Sequence, residues 1–368
     1  LFKFMSPTGE ETNVISLVTN TLTRLGFLKT ASTNFGAVEE DGLRAFQQER
    51  GLIVSGEIDE PTIRAIDEAR WKLGDRILSF VPGKPLRGDD VAALQSRLVE
   101  MGFDCGRVDA VFGSRTEAAI KEFQKSVGVK IDGVCGPATI MSLMRLVKTV
   151  SGGAPIQLRD NANRAVRGPA LANKIIVLDP SSLPEDQEVT FDIAQRLEGR
   201  LIALGVTVFI SGSKAKNPSE GDRIKLANEA GADLVISFHT DNYKNELAHG
   251  LATYYYGNEL HGVHSVVGER FAALVQREVT ARTDLLNCRT HAKSWDLLRL
   301  TKAPAVRIDL GYLSNTGDVK RLSDVAFRET LVESIMVAIQ RLYLSAENDA
   351  KTGALKISDL RRAGIRKD

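Results

Sequence analysis

The chain has 368 residues, of which 43% are hydrophobic and 26% are charged. These proportions are typical of a globular protein, and the length leaves room for two or three domains. The formal net charge is only +1, so the chain lacks the basic excess that favours nucleic acid or an anionic membrane surface as a partner. No run of about 18 apolar residues occurs, which argues against a transmembrane helix.

The first residues of the chain and its cysteines indicate the cellular compartment of the protein. Leu1 to Thr8 lack the apolar core of a signal peptide, and the absence of an initiator Met indicates trimming. The three cysteines (Cys105, Cys135 and Cys288) are odd in number and far apart. Because this arrangement shows no disulfide pattern, it favours a reducing compartment. We therefore expect a cytoplasmic protein.

An internal repeat occupies the first 150 residues. Residues 22–27, 45–48 and 51–62 recur as residues 98–103, 122–125 and 128–139. Each unit reads as an amphipathic helix, a turn marked by glycine, a second helix ending at Phe-Gln, and a third helix that begins near a proline. The repeat therefore predicts two small three-helix bundles, over residues 10–76 and 86–148.

The second copy carries further motifs, at residues 88–95 and in Asp-Ala-Val-Phe-Gly at 109–113. With these motifs it resembles the peptidoglycan-binding domains attached to bacterial wall hydrolases. The first copy has Asn-Phe-Gly at residues 34–36 in place of the turn and is more degenerate. Arg107, Asp109 and Arg115 near the second turn are candidates for a binding groove, although ordinary solvated surface is the favoured interpretation.

A linker, residues 149–172, separates the repeats from a third domain that we place at residues 173–345. Four successive aliphatic residues, 175–178, predict a strand covered on both faces, which is typical of a mostly parallel sheet flanked by helices. We therefore predict an α/β fold for this domain, with Ala305 to Ile308 as the strand that completes the sheet. The other predicted strands are 206–210, 234–238 and 251–256, and the predicted helices are 189–204, 223–228, 266–280 and 325–344.

Polar residues follow three of the predicted strands. Residues 179–182 come after the first strand, His239 follows a second, and Asp309 follows the last. Because ligands of such sheets bind just beyond the carboxyl ends of the strands, we expect these side chains to face one crevice.

These three strand ends resemble those of the zinc N-acetylmuramoyl-L-alanine amidases, which trim peptidoglycan. The resemblance covers about half of the chain, and in it only His239 keeps the family's residue. The first zinc His of the family falls on Ser182, its Glu ligand on Asp186, and its catalytic Glu on Asp309.

The substitutions predict a pocket without zinc and without catalysis. Catalytic zinc requires three well-placed protein ligands and one open position. Ser182 offers only a neutral hydroxyl, and Asp186 and Asp309 are each one methylene shorter than Glu, which retracts the carboxylate by roughly 1 to 1.5 Å and misplaces it for catalysis. A substitute site involving His249, His261, His264 or the pair Cys288 and His291 lacks a complete ligand set. We expect Arg307, two residues before Asp309, to form a structural salt bridge.

Two bundles, an altered amidase domain, no export signal and the segment Trp-Asp-Leu-Leu-Arg-Leu-Thr at 295–301 together resemble the CwlM-like proteins of mycobacteria and corynebacteria. The resemblance implies regulation instead of hydrolysis. Members of that family are cytoplasmic substrates of the Ser/Thr kinase PknB and, once phosphorylated, activate the enolpyruvyl transferase MurA. They are also linked to the FHA-domain protein FhaA and the flippase MurJ.

The resemblance places the switch in the tail, residues 346–368, where Thr352 matches the family's threonine-bearing segment and Ser358 is a weaker candidate. A phosphate adds roughly 1.5 to 2 negative charges, which Arg361, Arg362, Arg366 or a partner's arginines are suited to capture. Two alternatives stay open: a zinc amidase with weak or rearranged metal binding, and a sensor that holds a muropeptide or lipid-linked precursor in the cleft.

Overall fold

The structure is a computed structural model and describes residues 3–5, 11–145, 171–212, 218–243, 245–258 and 263–343. Most of the predicted linker and the whole of the tail, including Thr352 and Ser358, lie outside these residues, as does His261. Within the described ranges no helix is both long and apolar enough to cross a membrane.

The first repeat forms a three-helix domain, here called helical domain 1. A short antiparallel pair, β1 (Lys3–Met5) and β2 (Glu11–Asn13), precedes the helices α1 (Val14–Leu25), α2 (Ala37–Glu49) and α3 (Glu60–Ala69). The Asp59 carboxylate caps α3 by accepting a hydrogen bond of 2.9 Å from the Thr62 amide. The fully buried core residues come from all three helices: Val18, Leu22, Leu43, Phe46 and Ile66.

The second repeat, helical domain 2, has the same architecture. Its helices are α4 (Asp89–Glu100), α5 (Ser114–Val127) and α6 (Pro137–Arg145). Its core contains Leu94, Leu98, Phe112, Ile120 and Phe123. The prediction of two three-helix bundles is confirmed.

The Phe-Gln motif of the repeat has a structural explanation. Phe46 and Phe123 are fully buried in the two cores, and the glutamine that follows each one fastens the next loop. The Gln124 amide donates to the Thr139 hydroxyl (3.1 Å) and the Val134 carbonyl (3.0 Å), and its carbonyl accepts from backbone amides of the loop. Gln47 does the same in helical domain 1, donating 3.0 Å to the Thr62 hydroxyl. The motif therefore serves packing and loop closure.

The third domain is built on a seven-stranded mixed sheet. Its strands are β3 (Ile175–Pro180), β4 (Thr207–Ile210), β5 (Leu234–Asp241), β6 (Leu251–Asn258), β7 (Val263–His264), β8 (Asn287–Lys293) and β9 (Ala305–Tyr312). The order is β4-β3-β5-β9-β6-β7, with β8 paired to β6. The first four strands of that order are parallel, and β6 runs antiparallel to β9. The α/β prediction is confirmed, although the last strand lies inside the sheet and not at its border.

Residues of the central strands alternate between two apolar layers. Ile176 and Leu178 face a core closed by α7 (Gln187–Ala203), α9 (Val266–Thr280) and α12 (Val325–Tyr343). The other face carries α8 (Glu220–Glu229) and α10 (Asp296–Leu300), and α11 (Thr316–Ser323) follows β9. The face that carries α8 and α10 also holds three residues of helical domain 2, Ala92, Val108 and Ala110, in one cluster with sheet residues such as Val177.

Helical domain 1 is attached mainly through ion pairs. Arg299 of α10 forms a bidentate pair with Glu68 of α3, at 2.7 and 3.1 Å, and only 9% of the arginine side chain is exposed. Arg50, which follows α2, forms a second bidentate pair with Asp89 of helical domain 2, at 2.8 and 2.7 Å. These contacts hold helical domain 1 over the carboxyl ends of the sheet strands.

Candidate functional site

Asp179, at the end of β3, anchors the floor of the crevice. It is 1% exposed and accepts hydrogen bonds from the hydroxyls of Ser211 and of Ser237, the latter at 2.6 Å. The Arg223 guanidinium, at the start of α8, lies 3.4 Å from the same carboxylate. These partners hold the buried carboxylate in place.

His239 on β5 lies beside this network. Its Nε2 atom is 2.9 Å from the Ser237 hydroxyl oxygen. Because Ser237 gives its single hydrogen to Asp179, we infer that Nε2 carries the imidazole proton and donates to Ser237. Burial, together with the nearby cations Arg307 and Arg223, lowers the pKa of His239 well below its usual value. The ring is therefore neutral at physiological pH.

Asp186 stands at the N-terminal end of α7, but its side chain does not cap that helix. Instead, Oδ2 accepts hydrogen bonds from the amide (2.8 Å) and the hydroxyl (3.1 Å) of Thr240 on β5. Asp186 is 1% exposed, and its Oδ1 atom has no hydrogen-bond partner among the described residues. The short side chain is thus fastened across the crevice to β5.

Arg307 and Asp309 form the third part of the site. The guanidinium binds both carboxylate oxygens of Asp309, at 2.6 and 3.2 Å, and stacks on the Trp295 ring at 4.8 Å. Burial raises the pKa of Asp309 above its usual value, while Arg307 opposes that rise. The salt bridge expected of Arg307 is present, and its partner is the carboxylate that aligns with the catalytic Glu of the amidases.

The structure brings the four predicted positions together. Asp309 is the register partner of His239 across the parallel pair β5 and β9. Ser182, Asp186 and His239 line a single cleft of about 680 Å³, and so does Arg307, which is paired with Asp309. The opposite wall of that cleft belongs to helical domain 1, through Leu52, Ile53, Asp59, Pro61, Arg64, Ala65 and Glu68.

The donor set in this arrangement does not fit a zinc ion. Asp186 is engaged with Thr240, Asp309 with Arg307, and Nε2 of His239 with Ser237. Two guanidinium groups face the place where a cation would sit, and their repulsion grows as the surroundings become less polar. Within the described ranges, no group of three or more His, Cys, Asp or Glu side chains is placed to hold a metal ion.

Sequence reasoning missed Arg223 as part of the crevice and misjudged Arg107. Arg223 was expected only as a helix residue, although its place just after the Ser219 cap of α8 puts it at the crevice edge. Arg107, expected on solvated surface, donates 2.6 Å to the Thr301 carbonyl and lies 4.9 Å from the Tyr256 ring. Asp109 is likewise engaged, because it accepts 2.9 Å from Gln95. The interpretation as solvated surface was wrong for Arg107, since this residue packs on the α/β domain.

The pair Cys288 and His291 lies on β8, which the sequence did not predict. The Cys288 thiol is 3.3 Å from the His249 carbonyl, and the His291 Nε2 atom is 2.7 Å from the Cys288 carbonyl. Both side chains thus contact backbone carbonyls.

Two family models and several relatives match the chain. The family model described as N-acetylmuramoyl-L-alanine amidase matches residues 180–341, and the model described as putative peptidoglycan binding domain matches residues 12–66 and 87–143. The "N-acetylmuramoyl-L-alanine amidase CwlM" of Mycobacterium tuberculosis is 39% identical over 377 residues, which cover 96% of this chain and 93% of that protein. The "Probable cell wall amidase LytH" of Staphylococcus aureus is 27% identical over 48% of this chain and 60% of its own length.

Solved structures of amidases align with part of the chain. The amidase AmiC2 of Nostoc punctiforme is 22% identical, with coverage of 45% of this chain and 94% of that chain and a TM-score of 0.41. Ami1 of Mycobacterium smegmatis is 18% identical, with coverage of 47% and 98% and a TM-score of 0.42.

Proposed function

The chain belongs to the N-acetylmuramoyl-L-alanine amidase family, among its CwlM-like members, and from that premise we propose that it regulates peptidoglycan precursor synthesis without hydrolysing peptidoglycan. In this proposal the protein is cytoplasmic and holds no zinc. A PknB-type Ser/Thr kinase phosphorylates Thr352, and the phosphorylated protein activates MurA. An FHA-domain protein and MurJ are further proposed partners.

The ion pair between Arg307 and Asp309 carries the proposal. An amidase needs a metal-bound water and a carboxylate free to take its proton. Here the carboxylate at that position, Asp309, is bound by the Arg307 guanidinium at 2.6 Å. A second guanidinium, Arg223, lies near His239. Such a site disfavours hydrolysis, because the carboxylate at the catalytic position is held by a guanidinium.

The regulatory part is tested by reconstitution. The full chain, treated with a PknB-type kinase and ATP, is added to MurA, and enolpyruvyl transfer to UDP-N-acetylglucosamine is followed. We expect activation by the kinase-treated protein and none by the untreated protein. Thr352→Ala should abolish the effect, whereas Ser358→Ala, a matched change in the same tail, should retain it. Activation that survives Thr352→Ala would refute the assigned site.

A zinc amidase with a rearranged metal site is the second candidate. It is favoured by the convergence of His239, Asp186 and Asp309 on one crevice and by the amidase name of the mycobacterial relative. Incubation of the full chain with purified muropeptides and zinc separates the two candidates. Release of the stem peptide by the wild-type protein, but not by His239→Ala, would establish the amidase.

A further inference from the structure

A second cavity lies beside strand β8, where the three domains meet. Its volume is about 810 Å³, and cavities that enclose small molecules measure roughly 300 to 1,000 Å³. Helical domain 1 contributes Gln48 and Glu49 to its lining, helical domain 2 contributes Ala110, and strands β6 and β8 contribute the remaining wall, including Lys293. We propose that this junction cavity binds a small ligand with a single anionic group, a carboxylate or a phosphate monoester, and that Lys293 holds that group. The inference goes beyond the proposed function and does not depend on it.

Lys293 is a half-buried cation without a counter-charge. Among the described residues its ammonium has no hydrogen-bond partner and no carboxylate within 4.0 Å, and it keeps accessible surface. Its neighbours are the rings of Tyr254 and Trp295, whose centroids lie 5.9 and 5.8 Å from the nitrogen. A partly desolvated charge without a partner is costly, and an anion that binds it recovers part of that cost.

The charge balance around Lys293 agrees with this geometry. Burial lowers the pKa of Lys293 below its ordinary value, and the carboxylate that opposes this shift is Asp309 in the crevice. That carboxylate is already bound by Arg307 at 2.6 Å. An anion in the junction cavity would therefore be the first direct counter-charge of this lysine and would favour its charged form.

Helical domain 1 fixes the stem of Lys293. In the parallel pair of β6 and β8, Lys293 is the register partner of Tyr256. Gly51 of helical domain 1 approaches so closely that a Cβ atom there would lie 3.1 Å from both the Cα and the Cδ atoms of Lys293. Gly51 also has a φ of +65°, which favours glycine. The lysine stem is thus held between the strand and helical domain 1, so that little side-chain freedom is lost when a ligand binds.

The remaining charges of the cavity favour one anionic group over several. Arg50 and Arg299 line the cavity, but each is held by a carboxylate of the same lining in a bidentate pair. Glu49 is exposed and has no ion-pair partner among the described residues. The cavity therefore presents one cation without a counter-charge and one free carboxylate. A single anionic group can bind Lys293, whereas further negative charges would be repelled by Glu49.

Aromatic side chains supply an apolar wall for the rest of the ligand. Phe27 of helical domain 1 and Tyr255 of β6 both line the cavity and are half-buried. Apolar lining with few polar groups is the usual composition of a small-molecule site. A ring attached to the anionic group would cover these side chains, so we choose aromatic anions as probes.

The first test is calorimetric titration of the full chain with three probes that share one ring. Benzoate carries a carboxylate, phenyl phosphate carries a phosphate monoester, and benzyl alcohol carries no charge. We expect at least one of the anions to bind about tenfold or more tightly than benzyl alcohol, and to bind more weakly as sodium chloride is added. The tighter anion identifies the preferred group. If neither anion binds more tightly than the alcohol, the proposal fails.

A matched pair of lysine variants locates the bound anion. Lys293→Met removes the charge and keeps an unbranched side chain, whereas Lys302→Met makes the same change at an exposed lysine outside the lining. Lys293→Met should weaken binding of the preferred anion at least about tenfold, and Lys302→Met should leave it unchanged. Equal affinities for the wild type and Lys293→Met would place the anion elsewhere and overturn the proposal.

A second pair gives an effect of the opposite sign and does not depend on the folding of Lys293→Met. Glu49→Gln removes the free carboxylate of the cavity, and Glu60→Gln makes the same change at an exposed position outside the lining. Glu49→Gln should tighten binding of the preferred anion about threefold, whereas Glu60→Gln should not change it. Unchanged or weaker binding by Glu49→Gln would contradict a site in the junction cavity.

Discussion

The two helical domains share one sequence repeat and one fold, yet they are attached to the α/β domain in different ways. Helical domain 2 inserts Val108 and Ala110 into an apolar cluster with the sheet, and its Val108 carbonyl accepts a hydrogen bond of 2.9 Å from the Tyr256 hydroxyl. Helical domain 1 relies on the pair of Glu68 with Arg299, beside an open cleft.

The difference is between a domain attached by apolar burial and a domain attached by ion pairs. Apolar burial is non-directional and tolerates salt, whereas ion pairs depend on geometry and weaken when one partner is lost. Helical domain 2 therefore serves as part of the core of the α/β domain. Helical domain 1 is held chiefly by charge pairing.

The largest loss of stability should come from disrupting the apolar attachment of helical domain 2. Val108→Asp buries an unpaired carboxylate in the shared cluster, which typically destabilises by about 3 kcal/mol or more. Val54→Asp, the same change at an exposed valine of helical domain 1, should have little effect. The urea midpoint of the full chain measures both, and equal midpoints would show that helical domain 2 is not part of the core.

Breaking the ionic attachment should separate a domain without unfolding the protein. Glu68→Ala leaves Arg299 with only Asp296 and should weaken docking by about 2 kcal/mol. The radius of gyration by small-angle X-ray scattering should rise, while the near-ultraviolet circular dichroism of the α/β domain is kept. Glu60→Ala, an exposed position on the same helix, is the control. An unchanged radius for Glu68→Ala would show that the pair of Glu68 with Arg299 does not dock helical domain 1.

The pH dependence of the stability should come from the crevice and not from the helical domains. Burial beside Arg307 and Arg223 lowers the pKa of His239 in the folded state. Its contribution to stability is therefore present above the unfolded value, about 6.5, and is lost as pH falls towards the folded value. The His239→Gln variant should show a flatter decline of the urea midpoint below about pH 6.5, whereas His291→Gln at an exposed site should follow the wild type. A decline as steep as that of the wild type would show that His239 is not the source.

The smallest loss of stability should come from removing an ion pair at the rim of the cleft. Arg64 and Asp296 form an ion pair of 3.4 Å in which 47% of the arginine side chain is exposed. Exposed pairs of this kind contribute about 0.2 to 1 kcal/mol. Arg64→Ala should shift the urea midpoint by less than Glu68→Ala does. A larger shift than that of Glu68→Ala would reverse the assignment of the docking residue.

Much of the fold could be predicted because the sequence carries strong periodic signals. The aliphatic run 175–178 identified the central sheet, and the repeated Phe-Gln motif identified both bundles. Strand β8 was not predicted, because its residues alternate between exposed and half-buried and include no apolar run. The position of β9 inside the sheet was not predicted, because strand order depends on contacts between distant parts of the chain.

The sequence predicted which residues meet in the crevice, but it did not predict which part of the chain lies opposite them. Strand ends and the family resemblance located Ser182, Asp186, His239 and Asp309, and the pairing of Arg307 was expected. The wall built by helical domain 1 was not, because it depends on side chains such as Glu68 and Arg299, which are 231 residues apart. Nothing local to either residue indicates that they meet.

Metal content is the most direct test of the altered crevice. The full chain, purified without chelators and equilibrated with zinc before buffer exchange, is measured by inductively coupled plasma mass spectrometry. The arrangement of Arg307, Arg223 and the engaged carboxylates predicts zinc far below one ion per chain, unchanged by His239→Ala. A stoichiometric zinc ion that His239→Ala removes would contradict it.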